Sequence, residues 1–420
     1  MNAEVGSAPD HVIVVGAGMV GLSTAWFLLD RGVRVTVVDR DGVAAGSSWG
    51  NAGYLTPALT LPLAEPAVLS YGLKAVFSPS SPVYVPFTTN LRLIRFLVGF
   101  ARHCTPTRWR ETMAVYTQLN RISLEAYDEL ADGGVKEPTQ AADPFLAAFT
   151  SAEDREPLLE EFRGVVEAGG TVDYDLVDGA EARSIEPMLG EGVRAGVRIR
   201  GQRYINPPAY VASLADAVRG RGGEIVDGFD VADVRDLGTA GVEAVSATGQ
   251  TRRADEIVLA SGTWLGSLAR SFGVRKVVQA GRGYSFSVRP EAMATHPVYL
   301  PAQRIACNPL GDRLRITGMM EFRRADAPLD QRRIRAIIDA ARPMFTGVDW
   351  DAREEEWVGS RPCTADGLPL IGVTRSPRVH VAGGHGMWGI VLGPLSGRFM
   401  ADSITGRAVP DVVRHFDPLR

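Results

Sequence analysis

The segment that most constrains the fold runs from residue 11 to 39 and reads HVIVVGAGMVGLSTAWFLLDRGVRVTVVD. Its apolar, β-branched start, Val12 to Val15, is typical of a buried parallel strand. The spacing G-x-G-x-x-G follows at Gly16, Gly18 and Gly21, and an apolar stretch predicted to be a helix comes next. We expect the first glycine to permit a tight turn, the second to let a pyrophosphate approach, and the third to let the helix pack closely on the strand.

A second strand is predicted directly after this helix. Gly32 is expected to end the helix, and residues 33 to 38 form an apolar run that ends at Asp39. An acid roughly 20 residues after the glycines stands where a dinucleotide ribose needs an acceptor. A simple glycine turn is the alternative, but the strand, helix and strand order favours a dinucleotide site. The acid fits FAD or NAD better than NADP.

Composition excludes several other classes of protein. The chain has 420 residues, 45% of them hydrophobic, and a net charge of -4, which argues against nucleic acid as the main partner. Its three cysteines lack metal-ligand spacing, so we expect reduced thiols and no metal site. The first ten residues resemble no signal peptide, and no apolar run is long enough to span a bilayer. The expected location is cytoplasmic.

The G-x-G-x-x-G spacing occurs again at Gly384, Gly386 and Gly389, between a predicted strand and a helix predicted from Ile390 to Thr405. A second nicotinamide site would need a further strand with an acid at its end, and residues 407–420 offer neither. The motif is therefore interpreted as a helix N-terminus directed at another part of the first cofactor. A helix dipole there would stabilise the negative charge of a reduced isoalloxazine.

An arginine-rich helix is predicted from Leu91 to Arg102. Arg92, Arg95 and Arg102 would share one face, and the apolar residues Leu91, Ile94, Leu97, Val98 and Ala101 would lie largely on the other. Such a helix either rests on a membrane surface or packs on its own protein. Both interpretations stay open, so peripheral contact with the inner membrane face is an additional expectation.

Seven segments, taken in order, resemble one family. They are VIVVGAGMVGLSTAWFL with Asp39, SSWGNAGYL, INPPAYVASLADA, IVLASGTW, GRGYSF, VGSRPCTADGLPLIG and AGGHGMWGIVLGPLSG. The chain resembles the D-amino-acid oxidase superfamily of FAD enzymes, particularly its glycine oxidase and D-amino-acid dehydrogenase branches. The last two segments together are the most specific part of this resemblance.

The resemblance implies an α/β fold (α+β overall) in which a Rossmann-like FAD-binding domain is interleaved with an antiparallel-sheet substrate domain. The FAD-binding domain is predicted at 10–62, 204–277 and 357–420, and the substrate domain at 63–203 and 278–356. Strands predicted at 281–288, 304–308 and 313–319 would form the floor of the substrate domain.

The resemblance also implies which residues bind FAD. They match the family's residues that bind AMP and pyrophosphate, a following loop of small residues along FAD, and the backbone beside adenine. They also match the end of a later strand on the pyrophosphate side and the turn that contacts the flavin. The candidates are Gly16, Ala17, Gly18, Met19, Val20, Gly21, Asp39, Arg40, Ser47, Ser48, Asn51, Ala52, Gly53, Val231, Ala260, Gly262, Trp264, Gly386, Met387, Trp388, Gly389, Ile390 and Val391.

Four further residues are candidates for the substrate side. Arg361 matches the family's arginine that grips the substrate carboxylate, and a salt bridge between domains is the alternative. His385 could assist proton transfer or could simply pack. Tyr54 and Tyr284 are candidate pocket walls. Near the start of the strand predicted at 304–308 the family often carries a tyrosine. This chain carries Gln303 there, so the identity of the substrate stays open.

The expected reaction is oxidation of the C–N bond of a small amino acid, either a D-amino acid or a cyclic or N-substituted one. Hydride passes to flavin N5, and the imine hydrolyses to a 2-oxo acid. A 2-hydroxy-acid dehydrogenase and a flavoprotein with mainly a binding role are the alternatives. The electron acceptor stays open between oxygen, a quinone and an electron-transfer protein. Cys363 does not match the family's flavin-linked cysteine.

Overall fold

The computed structural model describes residues 8–66, 81–86 and 88–420. Its first layer is a six-stranded sheet, called here the parallel sheet. From edge to edge its strands are Glu224–Val226, Arg34–Val38, His11–Val15, Glu256–Leu259, Val379–Gly383 and Leu370–Val373. All neighbours are parallel except the last pair, which is antiparallel. The central strands are buried on both faces, which explains their continuous apolar runs.

The helix Met19–Asp30 covers one face of the parallel sheet together with Gly393–Ile404. These two helices approach closely because Gly397 has no side chain. A Cβ there would lie 2.6 Å from the backbone nitrogen of Thr24. The other helices that the structure describes from end to end are Leu91–His103, Pro106–Ile122, Glu125–Asp132, Glu156–Glu167, Gly179–Ile185, Pro207–Gly220, Leu265–Leu268 and Gln331–Ala341.

A nine-stranded, mostly antiparallel sheet, called here the large sheet, forms the second layer. Its strand order is Glu354–Cys363, Gln279–Val288, Arg313–Phe322, Ile305–Leu310, Val298–Leu300, Phe145–Phe149, Ala195–Ile199 and Tyr174–Asp178, with Val83–Tyr84 paired to Arg313–Phe322. The strands predicted near residues 281, 304 and 313 all lie in it. The predicted α/β fold class, with a parallel sheet and an antiparallel sheet interleaved along the chain, is therefore confirmed.

The described residues also form two small three-stranded sheets. One consists of Val231–Asp236, Val242–Ser246 and Thr251–Ala254, and the other of Tyr54–Leu55, Gln202–Tyr204 and Gln140–Ala142. The predicted boundary at residue 357 cuts the strand Glu354–Cys363, which belongs to the large sheet from end to end. The domain bounds stay predictions, and residues 67–80 and 87 of the predicted substrate domain lie outside the described residues.

The helix predicted at Ile390 begins later than expected. The second glycine motif forms a 3-10 turn, Gly386–Gly389, and the α-helix starts only at Gly393. Gly386 has a φ of +56°, a left-handed value that interrupts regular helix geometry. The second glycine motif is therefore a tight turn, and three residues separate it from the α-helix.

The predicted faces of the arginine-rich helix Leu91–His103 are wrong. Its core-facing residues are Leu93, Phe96 and Phe100, which pack with Phe322 of the large sheet. Three of the five residues expected on the apolar face are exposed instead: the exposed fractions are 81% for Leu91, 39% for Ile94 and 47% for Val98. The other two, Leu97 and Ala101, are half-buried. Leu93, Phe96 and Phe100 therefore define the buried face of this helix. The second apolar stripe, formed by Leu91, Ile94 and Val98, is exposed to solvent.

Candidate active site

A cavity of about 420 Å³ lies where the carboxyl ends of the parallel strands meet the large sheet. Its lining includes Gly16 and Asp39, which directly follow strands of the parallel sheet, and Gly283 and Arg361, which belong to strands of the large sheet. The size is within the range of ligand sites in proteins, and ligands of open α/β sheets bind at this edge.

The first glycine motif has the geometry that its sequence predicts. Gly16 has a φ of +116°, and a Cβ there would lie 2.6 Å from the carbonyl oxygen of Ala260. A Cβ on Gly21 would lie 1.9 Å from the carbonyl oxygen of Gly16, so only glycine lets the helix pack here. Gly18 lines the cavity at the helix N-terminus and presents no side chain to it. The backbone is therefore open to an anion.

Asp39 is held at the strand end by backbone N–H donors. One carboxylate oxygen accepts from Ala17 at 2.7 Å, and the other accepts from Asp41 at 2.8 Å and Gly42 at 2.9 Å. The carboxylate lines the cavity, and a carboxylate has about four acceptor positions. It can therefore accept a further hydrogen bond from a ribose hydroxyl.

The cavity wall beyond Asp39 combines an aromatic stack with a free hydroxyl. The Arg40 guanidinium lies 4.4 Å from the ring centre of Trp264, and both residues line the cavity beside Val231. The Ser261 hydroxyl is buried, lines the same wall and has no hydrogen-bond partner among the described residues. A buried hydroxyl without a partner fits a site whose polar ligand completes it.

The turn Gly386–Gly389 lines the opposite part of the cavity together with Ile390. Trp388 is held in place because its indole N–H donates to the carbonyl oxygen of Leu61 at 2.7 Å. His385 lies just before the turn and is only 2% exposed. It forms no ion pair with any described residue. Burial lowers the pKa of its imidazole to about 4.

The tautomer of His385 follows from its neighbours. The Ser396 hydroxyl donates to the carbonyl oxygen of Leu392 at 2.8 Å, so it must accept from His385 Nε2, which is also at 2.8 Å. His385 is therefore neutral near pH 7 with its proton on Nε2. A cationic acid role for this residue does not fit the site.

Arg361 presents a guanidinium to the cavity without an acidic partner among the described residues. Its Nη1 donates to the carbonyl oxygen of Met319 at 2.8 Å and approaches the Met320 sulfur at 3.9 Å. The alternative of a salt bridge between domains is therefore wrong for the part of the chain described. Burial lowers the pKa of this guanidinium, and the nearby Cys363 opposes that effect only in part. An anion is the ligand that such a group needs.

The neighbouring strand makes room for this guanidinium. Residue 283 lies on the strand paired with that of Arg361, and a Cβ at Gly283 would lie 2.3 Å from Arg361 Nη2. Gly281, which pairs with Arg361 directly, makes similar room for Met320 and Cys363. The glycines of the GRGYSF segment therefore position the cation.

The two candidate tyrosines line the cavity, but their hydroxyls are engaged elsewhere. Tyr54 is 2.7 Å from the carbonyl oxygen of Val298 and accepts from the Cys307 N–H at 2.9 Å. Tyr284 donates to Glu321 at 2.7 Å and is 1% exposed. Both rings are walls, and neither hydroxyl is available for chemistry.

The remaining predicted positions divide into two groups. Most of the predicted cofactor residues line the cavity, among them Met19, Val20, Ser47, Ser48, Asn51, Ala52, Gly262 and Met387. Four do not line it: Ala17, Gly21, Gly53 and Val391. They support the lining from behind, as Ala17 does through its hydrogen bond to Asp39.

Several polar lining residues have no motif that would reveal them. Ser261 could have been found, because it directly follows the predicted strand that ends at the cavity. Glu65, Glu161 and Tyr299 lie far apart in the chain and come together only through the fold. Arg304 begins the strand predicted at 304–308, and only the fold brings it beside these three residues.

No group of three or more His, Cys, Asp or Glu side chains in the described ranges is arranged to hold a metal ion. No helix among the described residues is both long and apolar enough to cross a membrane.

Residues 11–403 match the DAO family of FAD dependent oxidoreductases. The chain therefore belongs to this family and is an FAD-dependent oxidoreductase, as the resemblance implies. The glycine turn, the free acceptor positions of Asp39 and the unpartnered Ser261 hydroxyl fit a bound dinucleotide, and FAD is the cofactor.

Relatives agree with this assignment over nearly the whole chain. The chain is 29% identical over 405 residues to a D-amino acid dehydrogenase from Cereibacter sphaeroides, covering 95% of this chain and 92% of that protein. It is 27% identical over 413 residues to a D-amino acid dehydrogenase from Agrobacterium fabrum, covering 96% and 98%. Glycine oxidase from Geobacillus kaustophilus shares the fold, with a TM-score of 0.74, 22% identity and 99% of each chain covered.

Proposed function

We propose that this enzyme oxidises the C–N bond of a D-amino acid, or of a related cyclic or N-substituted amino acid. The observation that carries the proposal is Arg361, a cavity-lining guanidinium with no acidic partner among the described residues. An α-carboxylate is the anion that all these substrates share. The two relatives named D-amino acid dehydrogenase support the choice of substrate class.

The chain's own residues bind and orient the substrate. The Arg361 fork holds the carboxylate, which fixes the face of the α-carbon that meets the cofactor. Bound FAD supplies the two-electron oxidation by taking up the α-hydrogen with its electron pair. The amino group loses a proton, and water adds to the resulting C=N bond to give a 2-oxo acid and ammonia, or an amine from an N-substituted substrate. The electrons leave to oxygen, a quinone or an electron-transfer protein.

Neutral His385 suits a water-poor pocket in this reaction. Its pKa of about 4 leaves no imidazolium to repel a substrate ammonium above pH 5. The apolar rings of Tyr54 and Tyr284 form walls and supply no proton. Position and charge, rather than side-chain acid or base chemistry, are what the protein contributes.

Anaerobic bleaching of the flavin spectrum tests the proposal. The holoenzyme is mixed with D-alanine, L-alanine, D-proline, sarcosine and D-lactate, and the flavin absorbance is followed. We expect at least one of the D- or N-substituted amino acids to bleach the flavin. Bleaching by D-lactate alone would instead show a 2-hydroxy-acid dehydrogenase. Bleaching by none of them would favour a flavoprotein with mainly a binding role.

We also infer that the helix Leu91–His103 contacts an anionic membrane surface, where a lipid-soluble acceptor is available. Support comes from its exposed stripe, in which Leu91, Ile94 and Val98 alternate with Arg95 and Arg102. Neither arginine has a carboxylate within ion-pair distance among the described residues. Arg92 is not part of this surface, because its Nη2 donates to the carbonyl oxygen of Val278 at 3.0 Å.

A further inference from the structure

Part of the cavity lining is charged and is not used by the proposed oxidation. Glu65, Glu161, Tyr299 and Arg304 line the same cavity as Arg361. They come from four places: the chain before residue 66, the helix Glu156–Glu167, the strand Val298–Leu300 and the turn that follows this strand. We call these four residues the acidic subsite.

The charges in the acidic subsite do not balance. Arg304 Nη2 lies 3.5 Å from a carboxylate oxygen of Glu65, so these two form an ion pair. Glu161 makes no hydrogen bond or ion pair with any described residue, although it belongs to a helix whose neighbouring residues Leu158, Phe162 and Val165 are buried. Glu161 therefore contributes to the cavity a carboxyl group that has no partner among the described residues.

Glu161 is held in an unfavourable setting in the free protein. Burial, and then the nearby charge of Glu65, raises its pKa to about 8, while Arg304 lowers it in part. Burial likewise raises the pKa of Glu65 against the opposing effect of Arg304. A cation placed beside Glu161 would restore its ionised form.

We propose that the acidic subsite selects amino acids with a basic side chain, whose guanidinium or ammonium group pairs with Glu161 while Arg361 holds the α-carboxylate. This inference rests on the proposed function and names its substrate class. Two opposite charges at two places in one cavity match a substrate that carries a carboxylate and a distal cation.

An acidic side chain fits the same subsite poorly. It would find one guanidinium, Arg304, that Glu65 already neutralises, and its own charge would raise the pKa of Glu161 further, so the acidic subsite offers it no free cation. Like charges in a site of low polarity repel strongly. A neutral side chain would leave Glu161 as it is in the free protein, neither helped nor opposed.

D-arginine and D-citrulline provide a matched pair of substrates, because they differ in a guanidinium against an uncharged ureido group. The measurement is kcat/KM for each with the holoenzyme and with Glu161→Gln. We expect the native enzyme to prefer D-arginine by tenfold or more, and Glu161→Gln to bring the ratio near one. A ratio that Glu161→Gln leaves unchanged would overturn the inference.

Glu160→Gln is the matched control. Glu160 precedes Glu161 on the same helix, but its side chain is 70% exposed and 4.0 Å from Arg163. The two variants change the net charge equally, so a general electrostatic effect would appear in both. The inference requires that only Glu161→Gln changes the ratio.

The pH dependence gives a second readout. Glu161 must be ionised to bind the cation, and Glu65, Arg304 and Tyr299 are the groups that face it. The preference for D-arginine should therefore rise as the pH goes from 6 through about 8, where half of Glu161 is ionised, and level off above about 9. The α-amino groups of the two substrates titrate alike and cancel in the ratio. A flat ratio from pH 6 to 9 would contradict the inference.

Binding without turnover separates this inference from the proposed function. The ligands 5-guanidinopentanoate and 5-ureidopentanoate lack the α-amino group, and calorimetry with the holoenzyme gives their affinities. Tighter binding of the guanidino ligand, lost in Glu161→Gln, is expected. Equal affinities overturn the subsite alone, whereas failure of every amino acid to bleach the flavin overturns the proposed oxidation.

Discussion

At residue 283 the absence of a side chain decides where the cation of the site lies. Gly283→Ala would place a methyl group 2.3 Å from Arg361 Nη2, and the guanidinium, at the end of a flexible side chain, is what would move. We expect kcat/KM for D-amino acids to fall by tenfold or more, because misplacing a positioning group by about 1 Å costs on the order of 100-fold. Steady-state kinetics with normal FAD content would show it.

The control for this change is Gly220→Ala, the same substitution at a glycine with nothing within 4 Å of its Cβ position. It should leave kcat/KM unaltered. If Gly283→Ala keeps native kinetics, the guanidinium does not need its present position and the carboxylate site must be placed elsewhere.

Single residues also show how far a sequence predicts a site. The roles of Gly16 and Gly21 follow from local spacing, because the turn and the helix contact that need them lie within the motif. The hydroxyl partners of Tyr54 and Tyr284 could not be predicted in this way. They belong to residues 253 and 37 positions away, and only the folded sheets bring them together.

Among the elements, the strands Gln279–Val288 and Arg313–Phe322 are joined by a buried polar link. Tyr284 donates to Glu321, which also lies 3.5 Å from Arg282 and 3.7 Å from Arg333. We expect Tyr284→Phe to lower stability by about 1 to 3 kcal/mol, since a buried charged acceptor loses one donor. Urea denaturation of the holoenzyme measures this.

The same variant separates a wall from a catalytic group. With the hydroxyl directed at Glu321, Tyr284→Phe should keep kcat/KM close to that of the native enzyme. A large loss of kcat at unchanged stability would show instead that the hydroxyl takes part in the reaction.

Elements are predicted better than their faces. The period of apolar residues predicts the helix Leu91–His103 to within one residue of its end. Its buried face could not be predicted, because two apolar stripes compete and the contact with Phe322 of the large sheet decides between them. The second glycine motif is likewise interpreted from the sequence as the N-terminus of a helix from Ile390, and the 3-10 turn that it forms could not be predicted, because a G-x-G-x-x-G spacing does not reveal a left-handed φ.

For the whole molecule, the exposed stripe of that helix predicts reversible binding to anionic vesicles. Arg95→Gln with Arg102→Gln should weaken binding to phosphatidylglycerol vesicles by about 2 kcal/mol, at about 1 kcal/mol for each basic residue. Sedimentation with vesicles at low and high salt measures it. Arg108→Gln with Arg110→Gln, on the next helix, changes the net charge equally and should have little effect. Equal loss of binding in both double variants, or no binding at low salt, would show that the exposed stripe is not a membrane-contact surface.

The central claim is that Arg361 holds the substrate carboxylate against the cofactor, and the rate of anaerobic flavin reduction tests it most directly. For Arg361→Met, kcat/KM for flavin reduction by D-alanine should fall by the equivalent of about 2 to 5 kcal/mol, and the FAD content should stay normal. Arg361→Lys keeps the charge but loses the two-pronged contact, and it should lose less. Full activity of Arg361→Met on D-alanine, or an equal loss on ethylamine, which has no carboxylate, would contradict the claim.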